Sequence, residues 1–368
     1  TTATKFNVSY YKNYKLVSNF ETKENFALYL CGTPPPTNLP PGTKNFSIPL
    51  SNDAIQDSSE IPFLEALGLR SSIKAIDDSV ASFVVSPCLQ SLENNISVLN
   101  SNNKTSEAKI LSVISAVFGN EPNSSVSKFV STSSIYEPSG LDRAEWIKFY
   151  STFFNLENQA NNIYNQIDSN YNCLKNVAAS NAQSTKPVVA WAVYIAPSSY
   201  NNNTASWAIA DASYKKSFTE DAGGTYFNLS TLTYSTSSDF LSAIANVDIL
   251  IDETYLANSI SDVYKNYGLT ANSNYKFVKN SAIYREDGLQ NPSGGLDWFE
   301  SAVLKGDVVL GDLVNVINPN LPTKGYQRVW FRNVAKNESF IISSATNCTN
   351  TSAPLTDQSS FCSIHVAA

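Results

Sequence analysis

From Leu141 to Ala179 the chain has neither proline nor glycine, and its apolar residues recur at steps of three and four. Trp146, Phe149, Tyr150, Phe153, Phe154, Leu156, Ala160, Ile163, Tyr164, Ile167, Tyr171, Leu174 and Val177 follow the α-helical period. A continuous helix there would reach about 58 Å at about 1.5 Å per residue. The polar stretch Asn155–Asn158 is the one place for a break. Trp146, Phe149, Phe153 and Phe154 read as packing residues of that helix. Such a segment between two halves is a rigid strut, not a flexible linker.

Both sides of it alternate strand and helix patterns. Residues 1–50 read as short strands, broken at Thr33–Pro36 and Leu39–Gly42. Strands are expected at Asn52–Gln56, Ser82–Val85, Lys128–Ser131, Val188–Ile195, Val247–Ile251, Ser281–Tyr284 and Gln327–Phe331. Helices are expected at Ile61–Gly68, Tyr214–Asp221, Asp239–Ala245, Thr254–Tyr267, Asp297–Leu304 and Gly311–Ile317. Val188–Ile195 is apolar throughout, as a strand buried on both faces would be. The fold class expected is α/β: two α/β lobes joined by a single long linker helix. The division is 1–140 for an N-terminal α/β lobe with N-terminal strands, 141–180 for the linker, and 181–368 for a C-terminal α/β lobe with a disulfide-closed tail.

Composition removes several functions. The formal net charge is −7, which disfavours a sequence-independent grip on nucleic acid. No run of 18 apolar residues is present. The single histidine, His365, lies three residues from the end. A Ser-His-Asp hydrolase or a histidine metal centre needs rigid support that a chain end does not give. No metal site and no cofactor are expected. The chain starts at Thr1 and contains no methionine, as a processed secretory protein would.

The five cysteines contain no CxxC pair. Cys348 and Cys362 flank a polar loop, and a bridge there would stabilise by about 3 kcal/mol on loop entropy. Cys88 with Cys173 is the next pair, which leaves Cys31 over. The alternative is five buried reduced thiols. Glycosylation sequons start at Asn7, Asn45, Asn95, Asn103, Asn123, Asn202, Asn228, Asn337, Asn347 and Asn350. Their number is near what composition alone gives. With the cysteines, they favour a secreted or cell-surface protein.

Six ordered stretches resemble the bacterial substrate-binding proteins that carry siderophores, haem and cobalamin to importers, the helix-linked (class III) periplasmic-binding-protein type. They are Tyr11–Val17, Leu28–Pro34, Pro62–Gly68, Asp142–Phe149 with Phe153–Asn155, Ser213–Lys216 with Glu220–Gly224, and Leu296–Glu300 with Gly306–Leu310. They run from about residue 8 to 335. The asparagine- and serine-rich composition resembles eukaryotic members, namely the cobalamin acquisition proteins of algae and diatoms. The resemblance implies capture of a bulky small molecule between two lobes, with cobalamin first and a ferric siderophore or haem second. It also implies handover to a membrane transporter or receptor. The chain is expected to act as a monomer.

Ligands of α/β sheets bind beyond the carboxyl ends of the strands. That rule selects Asp57, Ser58, Ser59, Phe83, Ser86, Tyr136 and Glu137 in the first half, and Tyr194, Trp207, Tyr255, Arg285 and Trp298 in the second. The serines equally suit simple helix caps. Arg285 suits either an anionic ligand group or a neighbouring acid such as Glu286 or Asp287. Trp191 and Trp330 read as core. A secreted carbohydrate-active enzyme is the rival reading, since Glu137, Glu253 and Asp287 all sit near strand ends. An adhesion module is the third.

Overall fold

The apolar positions of the first fifty residues build a four-stranded sheet. Strands β1 (Phe6–Tyr10), β2 (Tyr14–Asn19) and β3 (Glu24–Leu30) form an antiparallel meander, and β4 (Lys44–Ile48) joins β3 in parallel. A computed structural model describes residues 2–123, 126–255, 257–355 and 362. His365 lies outside them.

The chain divides into two compact units. Unit 1 takes the chain up to Asn170, then Gln290–Asp307, then the segment that begins at Ile342. Unit 2 takes Tyr171–Leu289, Val308–Ile341 and Cys362. The boundaries expected at 140/141 and 180/181 therefore differ from those observed, because two later segments return to pack in unit 1.

Unit 1 also holds a five-stranded sheet of order β7-β6-β5-β8-β9, parallel throughout. Its strands are β5 (Asp53–Ile55), β6 (Ile73–Asp77), β7 (Ser97–Leu99), β8 (Ala116–Gly119) and β9 (Phe129–Ser131). The connecting helices include α1 (Ile61–Ala66), α2 (Asp78–Ala81), α3 (Pro87–Gln90) and α4 (Lys104–Val113). Helix α5 (Gly140–Thr152) serves both sheets. Phe153, just beyond its end, meets Phe26 and Phe46 of the first sheet and Phe118 of the second at ring distances of 6.0, 5.8 and 5.5 Å. It is fully buried, so truncation to alanine would cost about 3–5 kcal/mol.

The expected single helix is two. Asn155 adopts φ +59°, and the Leu156 N–H donates to Ser151 O at 3.1 Å, a Schellman-type end. Lys15 of β2 donates to Thr152 O and to Asn155 Oδ1. Helix α6 (Glu157–Ser180) then carries 24 residues, about 36 Å. The chain crosses from unit 1 to unit 2 within α6, between Asn170 and Tyr171.

Unit 2 is built on β10 (Val188–Ile195), whose central residues are buried as the sequence implied. It pairs in parallel with β14 (Ile249–Asp252) and β12 (Thr225–Tyr226), and antiparallel with β11 (Ser206–Ile209). β13 (Thr233–Tyr234) extends the sheet at β11, and β15 (Ile283–Arg285) at β14. The edge strand Arg332–Asn333 closes it. Its helices include α7 (Ser213–Asp221), α8 (Ser237–Ala243), α9 (Ile260–Tyr267) and α10 (Lys276–Lys279). α9 starts later than expected because Ser259 and Asp262 form a capping box there.

Two expected strands are instead turns and loops held by buried carboxylates. Glu300 accepts from the Val85 and Ser86 N–H groups, so Ser82–Val85 has no ladder to join. Asp312 accepts from the N–H groups of Val329, Trp330 and Phe331. At Gly295 a Cβ would fall 2.3 Å from Phe83 O, so only glycine fits where the return segment crosses that loop.

The disulfides also differ from expectation. Cys88 is joined to Cys348 and Cys173 to Cys362; the pairs Cys348–Cys362 and Cys88–Cys173 do not form. Ser343 Oγ donates to Val85 O and Ser91 Oγ to Ala345 O, which lays the tail along α3 and brings Cys348 to Cys88. Cys31 is free and exposed.

Candidate ligand-binding site

The parallel strands of each unit end in a cluster of polar groups and rings at their carboxyl edge. In unit 1 the chain leaves β5 into Asp57, which caps the following 3₁₀ turn, with Glu60 reaching back to the Asp57 N–H at 3.1 Å. The Asn120 N–H, just past β8, donates to Asp57 Oδ2, and Asn120 Nδ2 donates to Ser59 Oγ. Thr132, just past β9, lies 2.8 Å from Glu60 and 3.1 Å from Asn120 Oδ1. One hydroxyl proton cannot serve both acceptors. Burial, with the Asp57 charge adding, pushes the Glu60 carboxyl well above its usual range.

Exposed rings stand around this edge: Phe83, Tyr136 and Phe299. Ser58 Oγ donates to Phe299 O at 3.4 Å, which ties the return segment to the strand ends. Tyr136 shares a short hydrogen bond with Glu121, which pushes its phenol up to about 12. Ser86 caps α3 and donates to Glu65, and is buried.

Glu137 is placed differently from a ligand contact. Its carboxylate is 2% exposed and accepts from the Thr4 and Lys5 N–H groups, the Thr4 hydroxyl and Trp146 Nε1. It anchors the N-terminal segment. Trp298, at 6% exposure, is likewise a packing residue of unit 1.

In unit 2 the strand ends carry Tyr194, Asp252–Tyr255 and Arg285–Asp287. Arg285 is buried; it ion-pairs with Asp252 and Asp287 and donates to Thr254 O. Asp287 also accepts from Arg332. Arg285 thus organises the strand ends rather than presenting a free guanidinium. Tyr194 and Trp207 lie 5.3 Å apart between ring centres, and the indole N–H is held by Asn266 O. Tyr255 is 73% exposed.

Beside them sits a group that strand-end reasoning left out. Lys215 of α7 pairs with Glu253 at 2.6 Å, under the faces of Trp191 and Tyr214. Burial opposes the lysine charge, but Glu253 outweighs it, so the Lys215 pKa is raised. Glu286 is buried next to them. Burial, with Glu253 adding and Lys215 opposing, pushes it well above the usual range. Only burial, not residue spacing, distinguishes Lys215 from the other lysines. The signal for Glu60 was present as a capping spacing, Asp57 to Glu60.

Among the described residues no group of three or more His, Cys, Asp or Glu side chains is placed to hold a metal ion. No helix among them is long and apolar enough to cross a membrane.

No sequence-family profile matches the chain, and no curated protein matches it in sequence. Solved structures do resemble it. A periplasmic binding protein from Veillonella parvula superposes with a TM-score of 0.54 at 14% identity, covering 75% of this chain and 87% of that one. The siderophore-binding protein BauB, bound to two acinetobactin molecules and ferric iron, gives 0.53 at 13%, covering 74% and 94%. A possible iron-binding periplasmic solute-binding protein from Staphylococcus epidermidis gives 0.52 at 18%, covering 74% and 100%. The chain has the fold of the helix-linked periplasmic binding proteins, two α/β lobes, as the sequence resemblance implied.

Proposed function

We propose that this chain is an extracellular solute-binding protein for a bulky metal chelate, with cobalamin as the ligand tested first and a ferric siderophore or haem second. The observation that carries this reading is the fold shared with solute-binding proteins, one of which holds a ferric siderophore complex. The strand-end clusters support it. Exposed rings at Phe83, Tyr136, Phe299 and Tyr255 supply apolar contact, and Asn120, Lys215 and Glu253 supply fixed polar groups. Large amphipathic ligands need that combination. The two disulfides suit an oxidising compartment. Nine of the ten sequon asparagines are exposed, and Asn123 is half-buried, so glycans fit the surface.

Two of the carboxylates that an enzyme would need are committed elsewhere: Glu137 to the N-terminal segment and Asp287 to two arginines. Delivery to a membrane transporter or receptor belongs to this proposal.

Calorimetric titration with cyanocobalamin, a ferric hydroxamate siderophore and haem tests it. Submicromolar one-to-one binding of any of the three, without turnover, is expected. Binding of the corrinoid alone would assign cobalamin; binding of none would overturn the proposal.

A further inference from the structure

The strand-end cluster of unit 2 occupies one edge of its sheet. The opposite edge, where β10, β14 and β15 begin, holds a separate cavity of about 450 Å³. Lys186, Lys276 and Lys336 line it, together with Asp248, Ser281 and Tyr284. We propose that this cavity is a second binding site, for a small oxyanion of the phosphate or sulfate type.

The charge argument is local. The chain as a whole carries −7 and repels anions at long range. Within the cavity three cations face one carboxylate, and Asp248 is taken by Lys276 at 3.0 Å. Among the described residues neither Lys186 nor Lys336 has an ion pair. A concave wall with two uncompensated ammonium groups concentrates an anion there.

Lys276 lies in the last turn of α10 and Lys336 in that of the 3₁₀ turn Val334–Lys336, while Lys186 lies in neither. The last carbonyls of α10 are met by its own chain, with the Ser281 N–H donating to Val278 O and the Ala282 N–H to Phe277 O. The helix Gly306–Ile317 and α6 close in the same way, through the Asn318 N–H to Val314 O and the Asn181 N–H to Val177 O. Lys186 and Lys336 are left for something outside the chain.

Ser281 adds an independent sign. It sits at φ +50° in the position after a helix where glycine is favoured. A side chain kept in the left-handed region is costly and concentrates at ligand sites. Here the strained residue is one of those that line the cavity.

The test uses the full chain at constant ionic strength, with inorganic phosphate, inorganic sulfate and a sulfated disaccharide as probes. Thermal unfolding and calorimetry are read for the wild type, for Lys186→Gln with Lys336→Gln, and for Ser281→Gly. One-to-one binding is expected, with a raised Tm, and a second series at higher salt should show a weaker affinity. The double variant should bind at least tenfold more weakly with an unchanged Tm in the absence of anion. Ser281→Gly should unfold no lower than the wild type yet bind more weakly. The disaccharide binding more tightly than sulfate would assign a ligand that carries the group; the reverse would assign the free ion. An equal shift from chloride, or equal binding by the double variant, would overturn the proposal. Chelate titration of the double variant separates this site from the strand-end one, since its affinity there should be unchanged.

Discussion

Cys88 and Cys348 are bonded across 260 residues of sequence, with their Cα atoms 4.8 Å apart. The bond fixes a tail that also accepts Arg70 Nη1 on the Thr351 and Ala353 carbonyls, while the Leu355 N–H donates to Glu65 O. Removing it should cost about 2–5 kcal/mol. Cys88→Ser, Cys348→Ser and the double variant should lose similar amounts in urea unfolding, since each deletes the same bond. Non-reducing peptide mapping should recover Cys88 linked to Cys348. Recovery of Cys348 linked to Cys362 would restore the pairing that the sequence suggested.

Asp53, at the amino end of the central strand β5, is fully buried, with Ser72 beside its carboxyl opposing the effect of burial. Desolvation pushes its pKa up to about 7 from an ordinary 3.8. The folded value is raised, so the stability linked to this group is complete below about pH 4 and is lost as pH rises through about 7. The swing is on the order of 4 kcal/mol at about 1.4 kcal/mol per unit. Asp53→Asn should unfold with less pH dependence over that window. Its advantage over the wild type should appear near pH 7.5 and vanish near pH 4. Parallel curves for the two proteins would show that Asp53 is ionised in the folded state.

Glu137 and Trp146 hold the N-terminal segment together through a single carboxylate. Glu137→Gln turns one acceptor into a donor facing backbone N–H groups. The loss should be about 1.5–3 kcal/mol, the worth of a hydrogen bond to a charged group. Chelate affinity should stay unchanged. Lost affinity at full stability would place Glu137 at the ligand after all.

The sequence carried the layer pattern because apolar period and length are local properties. The α5–α6 segment, β10 and the glycine end of α9 at Gly268 all follow from it. Partners distant in sequence carry no such signal. Ser82–Val85 and Gln327–Phe331 have strand-like residues, but Glu300 and Asp312 claim their N–H groups instead. Strand-end position picked out Asp57, Ser58, Tyr194 and Tyr255, yet it could not tell an exposed side chain from a committed one. Arg285, Glu137 and Trp298 fell on the committed side, because burial is set by segments that return from elsewhere in the chain.

Exposure decides which aromatic residues can reach a ligand without holding the fold. Tyr255 is 73% exposed. Trp298 is buried in unit 1 next to Glu300, which holds the Val85 N–H. Tyr255→Ala should therefore weaken chelate binding about tenfold, the scale of one lost aromatic contact, with Tm unchanged. Trp298→Ala should cost about 3–5 kcal/mol of stability, as large buried rings do. Calorimetry and thermal unfolding on both variants check the split. A Tyr255→Ala protein that binds every tested chelate as the wild type does would remove this edge of unit 2 from the site.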